Sequence, residues 1–413
     1  MSASAETPAA AELRQPDEPD SLAGLTRRRW EALKAGDVGS LPVLIFMVAI
    51  VVFFTLKVSV FFSAVNFDNL LPQMSQVTVM AIGVVFVLLI GEIDLSIGYL
   101  SGLAGVVLAE LQLPGSGHDY AWWVAILGAL AVGAVIGAIQ GSFVAFLGVP
   151  SFVVTLAGLL AWQGVIIQVL GVQGVITIYD KQINDISLKF FSDRVGWALA
   201  GLVTAGFAVA ALVRVVSRRR SGLRVGHPLV LLWPVIFWSG AAWLGVAIAN
   251  HDRGVPMAGV LMVALLAFWT YVAQRTTFGR HVYAVGGNAE AARRAGINVA
   301  FIRVAVFTIS GTMAAFGGIV AASFLQSVDL TAGSGTILLD AIAAAVIGGT
   351  SLYGGRGFVK AALLGAMITQ TAQNGIDLVG YSDAVKDIVV AIILLAAVTL
   401  DTISRRRLAR SGR

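Results

Sequence analysis

Two carboxylates stand in the run GEIDLSIG, Gly91 to Gly98, between two apolar stretches. Acids at membrane depth are costly and often functional, so Glu92 and Asp94 are candidates for a proton relay. Asp94 is also followed by Leu-Ser-Ile-Gly, where it could cap a helix by accepting from free amide groups. Capping is the favoured reading, with Ser96 and Gly98 in the same turn. A third acid, Asp340, stands in LLDAIAAAVIGGTSLYGGRG, Leu338 to Gly357, whose Gly348 and Gly349 permit close approach or a helix break. Asp340 either caps that helix or faces a solute path. Uncharged polar groups recur within apolar stretches: Gln140, Gln163, Gln168, Thr312, Ser323, Gln370, Gln373 and Asn374. A neutral polyol would need such groups, which exchange hydrogen bonds without a counter-charge, although bonding between membrane helices uses them too. Catalytic signatures are absent. The chain has no G-x-x-x-x-G-K-[ST] loop for ATP, no H-E-x-x-H metal site and no G-x-S-x-G nucleophile elbow. His118, His227, His251 and His281 are scattered through loops, and there is no cysteine. An enzyme is not expected, nor a cofactor or a metal.

These residues are carried by a chain made for lipid. Hydrophobic residues make up 58% of it and charged ones 12%, enough for about twelve spans of ~20 residues. The expected class is an all-α, polytopic transmembrane helical bundle. Its candidate spans are Leu41–Phe62, Leu70–Ile90, Leu95–Leu113, Ala121–Leu147, Phe152–Leu170, Gly196–Val213, Leu229–Ala249, Val255–Ala273, Phe301–Phe324, Ile337–Leu352, Phe358–Val379 and Ala384–Leu400. The Leu95 and Ile337 segments are short or Gly-interrupted and could be re-entrant. Gly133, Gly137 and Gly141 form a small-residue face suited to tight helix contact, and Pro234 is placed to kink its helix. Lys57 near the end of the first span is expected to snorkel. VLLIGEIDLSIG and AVIGGTSLYGG are loosely alike, which is weak support for a duplication.

Loop charges orient the bundle. Arg214, Arg218, Arg219, Arg220 and Arg224 mark one loop, and Arg275, Arg280, Arg293 and Arg294 the next. Arg356 with Lys360, and the tail Arg405, Arg406, Arg407, Arg410 and Arg413, mark two more. Ser63–Asn69, Gln326–Gly335 and Gly380–Asp383 carry no Lys or Arg. The positive-inside rule then puts both termini in the cytoplasm. Residues 1–39 read as a disordered cytoplasmic tail, 40–402 as the membrane domain, 275–300 as a cytoplasmic loop within it, and 403–413 as a basic tail. A signal peptide is not expected. The net charge of +5 lies in these loops and does not indicate nucleic acid.

The cytoplasmic stretch RTTFGRHVYAVGGNAEAARRAGINV, Arg275 to Val299, ends in a short, delimited helix. Asn288 can cap it, and Glu290 suits the positive end of its dipole. Arg293 and Arg294 suit the negative end, and Gly296 can take the left-handed stop. Ala291, Ala292 and Ala295 add propensity without bulk. A helix of roughly eight residues, about 12 Å long, does not hold itself together in water. It is either an ordinary loop whose arginines fix topology or an element that docks on something.

GEIDLSIG, VYAVGGNAEAARRAGINV and LDAIAAAVIGGTSLYGGRG, in this order, resemble the permease subunits of bacterial monosaccharide ABC importers, the ribose/xylose/galactose group. The similarity runs from about Phe67 to Leu400. RTTFGRHVYAVGGN and an added pair of spans between about Gly196 and Ala249 are most similar to the xylose branch; the whole is then a core of about ten helices plus that pair. The resemblance implies two permease copies lining one path in the bacterial plasma membrane, a twin-domain ABC ATPase below and an extracytoplasmic sugar-binding protein above. It implies that Asn288, Glu290, Ala291, Arg293, Arg294 and Gly296 seat in the ATPase. Glu92, Asp94, Ser96, Gly98, Asp340, Gly348, Gly349, Gln373 and Asn374 are the motif and pathway candidates. A proton-coupled secondary transporter, or an ABC permease for a nucleoside or other small polar solute, are the alternatives. The acidic, Pro-containing N-terminal extension is not something the family needs.

Overall fold

A computed structural model describes residues 41–113, 117, 119–222 and 228–410. The expected N-terminal tail, His118, His227 and Arg224 lie outside the described residues.

The described residues are mostly helical, and each of the twelve expected spans overlaps one helix. The first five are α1 (Leu41–Lys57), α2 (Ala64–Leu89), α3 (Ile97–Glu110), α4 (Trp122–Phe146) and α5 (Ser151–Leu170). A short strand, β1 (Val175–Thr177), leads to α6 (Lys181–Leu188), β2 (Phe190–Phe191) and the long α7 (Asp193–Arg220). After α8 (Pro228–Ala249) come β3 (Val255–Pro256), α9 (Met257–Arg275), α10 (Thr277–Gly287) and α11 (Ala289–Arg294). The chain continues through α12 (Val299–Leu325), β4 (Ser327–Asp329), α13 (Ile337–Ile347), α14 (Ala361–Val379) and α15 (Asp383–Arg410). Among the described residues, seven of these helices are long and apolar enough to cross a membrane alone: α2, α4, α5, α7, α8, α9 and α12. The protein is a polytopic helical membrane protein.

Two local expectations change, and one short helix falls between the expected spans. The segment 277–287, read as loop, is the helix α10, opened by Thr276, whose hydroxyl accepts from Gly279 N at 3.2 Å. His281 is therefore helical. The helix expected over Asn288–Gly296 is shorter, six residues in α11. The 173–195 loop holds α6, which Asp180 caps by accepting from Gln182 and Ile183 amides.

The chain divides into two units. Within Trp197–Ala247, α7 and α8 bond to each other through Trp243 Nε1, which donates to Thr204 Oγ1 at 3.0 Å, and through stacking of Trp197 on Trp243. Both helices expose most of their apolar surface.

The other unit, Gly39–Gly196 with Ile248–Arg406, is built around α12, which packs on α4, α2 and α3. α2 and α12 are mostly buried, whereas α4, α5 and α9 turn most of their apolar side chains outward, as lipid-facing helices do. Two antiparallel ribbons join the connecting segments: β1 pairs with β4 and β2 with β3. The glycine face of α4 explains the depth of the α4–α12 contact. A Cβ at Gly133 would run into Gly311 O, one at Gly137 into Phe307 O, and one at Gly141 into Phe307 Cβ and Val304 Cα, each at 2.9 Å. Because backbone meets backbone, nothing there can rotate away. Gly137→Leu is expected to destabilise this unit by about 3 kcal/mol or more, read as a fall in the thermal unfolding midpoint of the detergent-solubilised protein.

Candidate functional site

α3 and α13 are too short to span. Fourteen and eleven residues reach about 21 and 16 Å against a hydrocarbon core of about 30 Å. Each adjoins a break, 91–96 before α3 and 348–360 after α13. Both breaks open with the same helix stop. Glu92 N donates to Val87 O and Gly91 N to Leu88 O, with Gly91 at φ +77°. Thr350 N donates to Ala345 O and Gly349 N to Val346 O, with Gly349 at φ +107°. This is the Schellman arrangement, which needs a left-handed residue after the cap. The two loosely alike sequence runs thus share a helix-stop geometry.

The first break is clamped from several helices. Glu92 pairs with Arg303 of α12 at 3.2 Å, both largely buried. Ile93 N donates to Ser151 Oγ at 3.2 Å, and Thr155 Oγ1 donates to Ile93 O at 3.3 Å. Asp94 is almost wholly buried. Its Oδ1 accepts from Ser96 N at 2.9 Å and Ser96 Oγ at 2.7 Å, and its Oδ2 accepts from Ser310 Oγ at 2.7 Å. Ser96 Oγ also lies 3.1 Å from Gln140 Oε1. Asp94 does not cap α3: Ser96 holds the cap position, and the carboxylate instead forms an Asx turn and a bond to α12. Both its oxygens are filled by protein donors, which suits a clamp; a proton relay needs one oxygen facing a path. Gly98 faces Gly333 O and Leu338, where a Cβ would sit at 2.9 and 3.1 Å. The Glu92–Arg303 pair is expected to show a coupling of about 1 kcal/mol in a double-mutant cycle with Glu92→Gln and Arg303→Gln, read by thermal unfolding.

Asp340 lies inside the first turn of α13, not at its cap, and is buried. Its Oδ2 accepts from Thr336 Oγ1 at 3.1 Å, and its Oδ1 accepts from Gln373 Nε2 at 2.9 Å. Gln370 Nε2 donates to Gln373 Oε1 at 3.0 Å, extending this chain along α14. Asn374 exchanges two 2.9 Å amide bonds with Asn66 of α2. Gly348 lets α13 meet the backbone of Ala361, where a Cβ would strike Ala361 O. Ser323 accepts from Ser187 N and donates to Asn184 O, while Thr312 bonds within its own helix. Gln140, Ser323, Gln373 and Asn374 therefore serve contacts between helices.

The α11 segment has the expected ends. Asn288 Oδ1 accepts from Glu290 N and Ala291 N at 3.0 and 2.9 Å. Arg293 and Arg294 pair with Glu290 at 3.1 and 3.3 Å. Ile297 N donates to Ala292 O and Gly296 N to Arg293 O, with Gly296 at φ +85°. Ala292 alone is buried in this helix; both arginines, Glu290 and Ala291 are exposed. The segment is thus fixed in shape and presents its charges outward.

Arg303, Ser310, Ser151, Thr155 and Asn66 were not legible as site residues. Arg303 carried a signal, as the only charge within α12; the others are ordinary hydroxyls and an amide whose partners lie on distant helices. No cluster of three or more His, Cys, Asp or Glu placed to hold a metal occurs among the described residues.

Comparison with known proteins adds the lineage. The chain is 36% identical over 399 residues to the xylose transport system permease protein XylH of Escherichia coli K12, covering 94% of this chain and 97% of that protein. It is 34% identical over 384 residues to XylH of Haemophilus influenzae, covering 89% and 98%. It is also 34% identical over 341 residues to the ribose import permease protein RbsC of E. coli K12, covering 83% and 87%. No solved structure matches. A family profile described as branched-chain amino acid transport system, permease component, matches residues 66–398, and with those two near-full-length likenesses the chain belongs to this permease family.

Proposed function

We propose that this chain is the membrane-spanning subunit of an ATP-binding-cassette importer for D-xylose. It is a monosaccharide permease of the multi-pass, cell-membrane kind and a translocating rather than catalytic component. The observation that carries the finer reading is the 36% identity to a xylose permease across 94% of the chain. The family's description speaks of branched-chain amino acids, but the relatives that match along most of the chain are named for xylose and ribose.

In this reading the chain has about twelve membrane segments, of which α3 and α13 enter without crossing alone, with α1 as the first crossing, both termini cytoplasmic, residues 1–39 and 403–413 as tails, and 275–300 as the coupling loop. Two copies line the path. A separate twin-domain ATPase receives α11, with Asn288, Glu290, Ala291, Arg293, Arg294 and Gly296 as the docking residues. An extracytoplasmic binding protein delivers the sugar. Glu92, Asp94, Ser96 and Gly98 at one break, and Asp340, Gly348, Gly349, Gln373 and Asn374 around the other, set the helices that must shift. Support comes from the shape of α11, rigid and charged on its outer side, and from two helix breaks that offer defined hinges.

Reconstitution tests it. Proteoliposomes holding the chain with its ATPase should take up D-xylose only with ATP and binding protein present. Uptake by the chain alone down a proton gradient would overturn the reading in favour of a secondary transporter. ATP-driven uptake of a nucleoside or leucine in place of xylose would keep the class and replace the substrate.

A further inference from the structure

Three segments distant in sequence meet at one point, and they meet through backbone. Gly355 N donates to Leu89 O at 2.9 Å, tying the break after α13 to the end of α2. Gly286 of α10 lies against the same two groups: a Cβ there would be driven into Leu89 O and toward Gly355 N. Gly354, at φ +81°, sits where a Cβ would lie 2.9 Å from both Gly286 O and Gly91 N. A second tie runs from Tyr283 Oη, which donates to Gly357 O at 2.9 Å. Burial pushes the Tyr283 phenol above its ordinary range, so it remains a donor. Asn288 joins α10 to α11, since its N–H donates to Ala284 O while its side chain caps the next helix. A Cβ on the neighbouring Gly287, by comparison, would meet open space, although its backbone lies beside Gly355.

We infer that Gly286 is the point at which movement imposed on α11 reaches both helix breaks at once. Through Leu89 it bears on the segment carrying Asp94, and through Gly355 on the loop that follows α13 and Asp340. Side chains can rotate away from a push, whereas packed backbone must move with it. Gly286 is a positioning residue: it acts through the two breaks and meets no solute. The inference rests on the ATP-driven reading above.

The test uses the chain assembled with its ATPase and binding protein in proteoliposomes, with D-xylose as the solute, and reads sugar moved per ATP hydrolysed. Gly286→Ala should leave ATP hydrolysis near the unaltered level while sugar moved per ATP falls about tenfold or more, a loss of roughly 1.4 kcal/mol in coupling. Tyr283→Phe, losing one neutral hydrogen bond, should lower the same ratio about fivefold. Gly287→Ala should leave it unchanged. The inference is overturned if Gly286→Ala transports with unaltered efficiency, or if Gly287→Ala fails equally. Should Gly286→Ala not assemble, Tyr283→Phe decides, and an unchanged ratio there overturns the inference. If the unaltered assembly shows no ATP-dependent uptake, the underlying function fails before any variant is compared, so the two failures are told apart.

Discussion

Reversing both arginines of α11, Arg293→Glu with Arg294→Glu, is expected to abolish xylose-stimulated ATP hydrolysis by the assembled importer while the permease still inserts at normal levels. The separation of effects follows from exposure. Both side chains are mostly solvated, at 65% and 80%, and exposed ion pairs contribute at most about 1 kcal/mol. Turning them into repulsive neighbours of Glu290 costs only about 0.5 kcal/mol more. A charge pair desolvated at a protein interface is different: removing one partner costs about 2–5 kcal/mol, and two reversals together reduce affinity more than a thousandfold. Gly296→Pro reaches the same end by another route. It forces φ from +85° to about −65° and removes the N–H that bonds Arg293 O. Normal coupled hydrolysis in both variants would remove α11 from the docking surface.

Asp94 gives the second large effect, and its two substitutions point in different directions. Asp94→Ala strips acceptors from Ser96 N, Ser96 Oγ and Ser310 Oγ in a buried site. Bonds to a charged group are worth about 1.5–3 kcal/mol each, so a net loss of about 4 kcal/mol is expected, with little folded protein recovered after detergent extraction. Asp94→Asn keeps one acceptor oxygen toward Ser96 and places an amide that can donate to Ser310. It should fold and retain ATP-driven xylose uptake within about threefold, the equivalent of roughly 0.7 kcal/mol. A proton relay reverses this outcome, because an amide cannot titrate. Folded Asp94→Asn without transport would therefore restore Asp94 as a functional acid.

Much of this was legible because membrane physics writes itself into sequence. Each apolar run holds a helix, seven of them long enough to cross a membrane alone, since a backbone in hydrocarbon must satisfy its own hydrogen bonds. The stop at Gly296 and the break at Gly348–Gly349 were readable from glycine, the residue that takes a left-handed backbone without strain, whereas the stop at Gly91 emerged only in the structure. The cap at Asn288 was readable because Asn in that position answers free amides three residues away. By contrast, α10 was missed. Its Thr276 cap looked like any loop threonine, and its glycines at 279, 286 and 287 argued against helix. Packing decided otherwise: Gly279 lies against Ala273 O, and Gly286 against Leu89 O.

Local signals thus determined where helices begin, how they stop and which residues are too polar for lipid. Assembly alone decided what those polar residues do. Asp94 finds Ser310, 216 positions away, and Asn66 finds Asn374 across 308. The reason is physical: a stop or a cap is closed by neighbours within about five residues, whereas a buried carboxylate takes whichever donor the packing of helices brings to it.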